Sequence, residues 1–196
     1  ALTIDHTETN KTRSDTGQGV FNVRLAAQFA DGRGIGPSGL SAVNALRLST
    51  QIPRRAEYAV VDRPPANSDV VRFVARSSRR GRAAHDLGPL DVAALEVLDG
   101  WARLIEAGPN EAMSHLTRLI RSGTLDPKRL AQAGQTEPGS SRARLRYLLL
   151  RSAGRQDLAD KVPPPDPHTE SKALAGLTVA EVLGRHERML DVGAMR

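Results

Sequence analysis

Cysteine is absent from this 196-residue chain, which removes disulfide scaffolds, zinc ribbons, iron–sulfur ligation and cysteine nucleophiles. Aromatic residues are nearly as scarce, with three Phe, two Tyr and one Trp. A core must then be built from Leu, Val, Ile and Ala, and base-stacking readers of single-stranded nucleic acid are disfavoured. Lysine is confined to Lys11, Lys128, Lys161 and Lys172. No apolar run approaches the roughly 20 residues needed to cross a bilayer. The polar opening ALTIDHTETNKTRSD is unlike a signal peptide. The expectation is a soluble protein of the cytoplasm with no membrane partner.

Arginine is what the chain has in excess. Of its 28 cationic residues 24 are Arg, against 22 Asp and Glu, for a net charge of +6. The guanidinium suits bidentate contact with carboxylate or phosphate, so nucleic acid, a nucleotide or an acidic protein partner all stay open. A GC-rich genome that writes Arg in place of Lys would give the same bias with no function behind it. Hydrophobic residues make up 39%, enough for a packed core and against a wholly disordered chain.

Periodicity divides the chain into a flexible polar arm over 1–20, a domain over 21–162, a proline-rich linker over 163–175 and an amphipathic helix over 176–196. Within the domain, FNVRLAAQFA (21–30) reads as a short helix that stops at the glycine-rich DGRGIGPSG (31–39). Ser38 is a plausible N-cap for GLSAVNALRL. Two β-like runs follow, Tyr58–Asp62 and Val70–Ala75, joined by the turn-rich RPPANS; Leu48–Ile52 is a candidate edge strand. From Leu87 the pattern turns helical. One helix is expected over PLDVAALEVLDGWARLIEAG with Trp101 as a core anchor, a second capped by Asn110, and a third opened by Asp126-Pro127. A fourth starts at Ser140/Ser141 and a short one spans Gln156–Val162. The class expected is α+β, a small mixed sheet near the front with a helical C-terminal half.

Complete catalytic signatures are missing. The histidines His6, His85, His115, His168 and His186 have no metal-ligand spacing, and G-x-S-x-G does not occur. Gly34, Gly36 and Gly39 satisfy G-x-G-x-x-G, a turn whose backbone N–H groups and following helix could approach phosphate oxygens. It does not follow a strand-like run, and an ordinary loop with a helix cap accounts for it equally. Asp91 and Asp99 fall on one expected outer helix face and read as solvated charge. Arg79-Arg80-x-Arg82, and the stripe Arg142, Arg144, Arg146 and Arg151, either meet phosphates or are solvated.

The segment SGLSAVNALRLSTQIP (38–53) resembles a stretch of AbiEi-type antitoxins of the pattern G-x-x-A-A-N-x-L-G-L-S-x-Q-x-P. It matches at Gly39, Ala42, Asn44, Leu46, Leu48, Ser49, Gln51 and Pro53, with Arg47 where the family often has Gly. The resemblance covers about residues 22–125, with 44–53 the specific part. It implies an antitoxin that neutralises a co-encoded AbiEii-like nucleotidyltransferase toxin. Two modes are implied: phosphorylation of a toxin serine as an atypical serine protein kinase using ATP and Mg²⁺, or non-enzymatic action by direct binding or nucleic-acid contact. The winged helix that many AbiEi antitoxins carry is not expected here, so nucleic-acid binding should be weak and non-specific. Under the kinase reading, Gly34, Gly36, Ser38 and Gly39 would cradle the nucleotide, and Asp31, Arg33 and Asp62 would supply metal-holding and charge-neutralising groups. Asn44, Gln51, Arg54 and Arg55 would face the toxin, and no separate metal site is expected.

Overall fold

A computed structural model of the chain describes residues 34–64, 66–105, 108–153 and 155–178. The expected helices over 21–30 and after 178 lie outside the described residues, as do Asp31 and Arg33. A two-residue strand β1 (Gly36–Pro37) leads into helix α1 (Gly39–Ala45), then strands β2 (Ala56–Val60) and β3 (Val71–Ala75). The helical part follows: α2 (Gly81–Ala84), α3 (Pro89–Asp99), α4 (Trp101–Leu104), α5 (Pro109–Arg121), α6 (Pro127–Ala133), α7 (Gly139–Ala153), α8 (Gln156–Ala159) and α9 (Pro167–Leu174). The class is α+β, with a small mixed sheet in front of a helical C-terminal half.

The sheet has the order β1-β2-β3, antiparallel between β1 and β2 and parallel between β2 and β3. Tyr58 pairs with Pro37 on one side and with Phe73 on the other. Tyr58, Val60, Val71, Phe73 and Ile35 form a small apolar cluster of their own. Both β-like runs are strands, although β2 starts two residues earlier than expected. Its early register is set from outside the strand: Ala56 N–H donates to Val70 O, and Glu57 N–H to the Ser41 hydroxyl. Leu48–Ile52 is not a strand. The outward edge of β3 is occupied by its own preceding loop. Phe73 N–H donates to Asn67 Oδ1 at 2.7 Å, while Ser68 and Val71 exchange backbone and hydroxyl bonds.

Helix α3 is buried on every side from Asp91 to Leu98 and forms the axis of the main core. The expected single helix over 89–108 is interrupted at Gly100, where a Cβ would lie 2.6 Å from Leu104 Cδ1. Trp101 is in the core, as its sequence context suggested. Residues 163–175 are not a free linker. Asp166 caps α9 by accepting from Thr169 N–H at 2.9 Å, Pro167 occupies the first turn, and Ala173 and Leu177 are buried. Asn110 is not a helix cap either. Gly108 takes that place, and the Asn110 amide instead binds Gly176 O and Thr178 N–H.

The acidic residues of α3 point inward, against the expectation of a solvated face. Glu96 is 3% exposed and receives Arg82 Nη1 at 2.6 Å, Arg76 Nε and Nη2 at 2.8 and 2.7 Å, and the Ser38 hydroxyl at 2.7 Å. Arg82 is fully buried and also grips Glu137 with two bonds of 2.7 and 2.8 Å. Arg79 joins Glu96 at 3.2 Å to Asp99 at 2.8 Å. Arg79 and Arg82 therefore neither meet solvent nor stand free for phosphate; Arg80 alone of that run is exposed. Asp91 accepts from Asp126 N–H, and burial pushes its carboxyl up.

The arginine stripe on α7 is used in the same inward fashion. Arg144 donates to Leu98 O and Ala173 O, at the C-terminal ends of α3 and α9. Arg146 donates to Ala159 O and Val162 O beyond α8, both at 2.7 Å. Carbonyls at helix C-termini lack the next turn's donors, and a cation there also suits the helix dipole.

Losing one partner of such a network leaves a buried charge uncompensated. Arg82→Met should cost about 3–5 kcal/mol in urea denaturation, with part of it recovered when Glu137→Met is added. The network also sets acid stability. Burial raises the Glu96 carboxyl, but the Arg76 hydrogen bonds and the Arg82 charge outweigh it and hold it at about 2. Its stabilisation is complete above the ordinary carboxylate value near 4.5 and disappears as pH falls to about 2. About 3 kcal/mol should be lost across that window in a pH series of unfolding curves, and less in Glu96→Gln measured against its own neutral-pH value.

Candidate functional site

The glycine-rich turn is packed rather than open. A Cβ on Gly34 would stand 2.7 Å from Ala83 N, and one on Gly36 would stand 2.5 Å from Pro89 O. Their backbone donors are used internally: Gly34 N–H goes to Leu87 O, Ser38 N–H to Glu57 O, and Gly36 pairs with Ala59 in the sheet. Ser38 sits at the N-cap of α1, but its hydroxyl turns to Glu96. Gly39 adopts a left-handed backbone (φ +54°) with the Glu57 carboxylate directly against it. A phosphate arriving here would meet the Glu57 carboxylate, and the Gly34, Gly36 and Ser38 donors are already used, so a nucleotide with its Mg²⁺ does not fit at Gly34–Gly39. Asp62 is exposed just beyond β2. No group of three or more metal-ligating side chains occurs among the described residues.

The second half of the family-like stretch builds something more open. Helix α1 ends at Leu46, whose N–H still bonds Ala42 O; Arg47 N–H then bonds Asn44 O and Leu48 N–H bonds Val43 O. Arg47 is left-handed, with φ 57°, and this reverses the chain. The following loop is stapled twice. The Asn44 amide donates to Gln51 O, and Gln51 N–H donates to the Ser49 hydroxyl at 3.1 Å. Asn44 and Ser49 thus fix the loop from within, and Asn44 does not face outward as expected. Gln51, Arg54 and Arg55 are exposed. Between them stands Ile52, 92% exposed. No ion pair is formed by Arg47, Arg54 or Arg55 among the described residues.

Between this loop and α5 lies a cleft of about 380 Å³. Its apolar wall is Leu40, Leu48, Leu104 and Ile105, and its polar rim is Arg47, Gln51, Glu111, His115 and Arg118. His115 locks the loop to the helix. Its Nε2 lies 2.7 Å from Leu46 O, and its Nδ1 lies 3.2 Å from Arg118 Nη2. A carbonyl only accepts and a guanidinium only donates, so in these two contacts Nε2–H donates to Leu46 O and Nδ1 accepts from Arg118. The sequence pointed to the loop but not to this opposing wall. The tie of His115 to Leu46 spans 69 positions, a separation no local pattern reveals.

Compared with known proteins, the chain matches no family model, no curated protein and no solved structure. The likeness to AbiEi-type antitoxins therefore stands on the residues of the 39–53 stretch, and the backbone bears on it at one point. A left-handed residue other than Gly, Asn or Asp is strained. Arg47→Gly, the residue common in that family, should raise stability by about 0.5–1 kcal/mol in urea denaturation, whereas Arg47→Ala should give no such gain.

Proposed function

We propose that the chain is an antitoxin that neutralises a co-encoded AbiEii-like nucleotidyltransferase toxin, and that it acts by direct binding. The observation that carries this reading is the 39–53 unit. Its family-like residues Asn44, Leu46, Leu48 and Ser49 hold a stapled loop that places Ile52 in solvent beside Gln51, Arg54 and Arg55. A large apolar side chain held out on an immobilised loop loses little further entropy on binding and can serve as a partner anchor.

The kinase mode loses its site, since the turn that would hold ATP is packed and faces Glu57. Nucleic-acid contact has less support as well, because Arg79, Arg82, Arg144 and Arg146 are committed to carboxylates and carbonyls inside the fold.

Co-expression with the neighbouring reading frame tests the proposal. Growth arrested by the neighbour alone should be restored by this chain without phosphate appearing on the toxin, and the two proteins should copurify. Ile52→Asp should weaken both copurification and rescue. Absence of rescue with both proteins soluble would overturn the antitoxin reading, and rescue accompanied by toxin phosphorylation would overturn direct binding.

A further inference from the structure

We propose that the cleft between the 46–53 loop and α5 is a receptor for an acidic peptide segment of the partner, one carrying a leucine-sized apolar side chain. This deepens the direct-binding reading and rests on it for the partner's identity. The observations are chemical. One wall offers Leu40, Leu48, Leu104 and Ile105, which would cover an aliphatic side chain. Among the described residues the rim offers Arg47 and Arg118 against one carboxylate, Glu111, and neither arginine is in an ion pair there. Arg118 is oriented by His115 Nδ1, which occupies Nη2 and leaves its other donors for a carboxylate. Arg54 and Arg55, exposed just beyond the loop, extend the positive field past the rim. Among the described residues no Phe, Tyr or Trp lines the cleft, and its one imidazole, His115, is tied to Leu46 O and Arg118, so it lacks the broad ring surfaces on which bases stack.

The chain's own C-terminal residues are the competing occupant. Thr178, the last described residue, bonds Asn110 Oδ1 through its N–H at the start of α5. In sequence, 179–196 holds Arg185, Arg188 and Arg196 against Glu181, Glu187 and Asp191, so its side chains carry no net charge to match the basic rim. Charge complementarity favours the acidic partner segment.

The test is fluorescence anisotropy with the full chain and two labelled synthetic peptides, Glu-Asp-Leu-Leu-Asp-Glu and its counterpart Lys-Lys-Leu-Leu-Lys-Lys. The acidic peptide should bind saturably and the basic one should not. Arg118→Gln should weaken the acidic peptide about tenfold. Arg47→Gly should weaken it while leaving the protein folded and more heat-stable, which separates loss of a contact from loss of structure. Leu183→Asp, in the chain's own segment, should leave affinity unchanged.

Equal binding of both peptides, no saturable binding, or indifference to both arginine variants would overturn the inference. Tighter binding by Leu183→Asp would overturn it too, by identifying the chain's own segment as the occupant. The antitoxin reading fails separately. If the acidic peptide binds as expected but the wild-type chain does not rescue growth, the cleft stands and the toxin is the wrong partner.

Discussion

Glu96 is the group on which the rest of the structure depends. It lies on the central helix α3, where every neighbouring position from Asp91 to Leu98 is buried, and an isolated carboxylate there would be prohibitive. The fold compensates by drawing in Arg76 from the end of β3, Arg82 from α2 and Ser38 from the turn before α1. Arg82 carries the connection on to Glu137, ahead of α7. The small apolar cluster of the sheet and the main core among the helices are joined through this polar centre. Apolar contact tolerates sliding, whereas a fork of two hydrogen bonds does not. The network therefore fixes how the sheet meets the helices, and with it where α1 and its loop stand.

The same logic gives the arginine excess a structural use. Helix ends leave carbonyls unpaired, and this chain repeatedly covers them with guanidinium groups from a neighbouring helix. Arg121 reaches Ser152 O and Arg151 O at the end of α7, as Arg144 and Arg146 do for other helices. A lysine, with a compact ammonium and no planar fork, could not bridge two carbonyls in fixed directions so readily. The two arginine clusters that suggested an outward role, 79–82 and 142–151, are mostly turned inward, and exposed cations such as Arg47, Arg54 and Arg55 gain meaning from that contrast.

What was legible in the sequence follows from the range of each interaction. Strands β2 and β3, the helical back half and the Asp126-Pro127 start rest on local patterning and were readable. The start of α9 was readable by the same rule, because Asp166-Pro167 repeats the Asp126-Pro127 signature; the preceding run of prolines drew attention away from it. The inward turn of Glu96 and Asp99 was not readable. A carboxylate on a helix looks solvated until partners 14 to 58 positions away are known. The glycine turn misled for a related reason. Gly34 and Gly36 are small because Ala83, Pro89 and Val92 press on them, and sequence cannot distinguish a close protein neighbour from a close ligand. Of the site itself, the 44–53 loop was visible through its motif, while the α5 wall entered only through tertiary contact.

The loop between β2 and β3 carries a consequence of a different kind. By feeding Asn67 and Ser68 to the outer edge of β3, it acts as a counterfeit fourth strand. An open edge is an invitation for copies of a chain to polymerise through their backbones. Here that invitation is withdrawn by the connection needed anyway to return the chain for a parallel pairing. The length of that loop is therefore constrained by colloidal behaviour in a crowded cell. A deletion that still let β2 and β3 pair would leave a correctly folded molecule whose hazard is its neighbours.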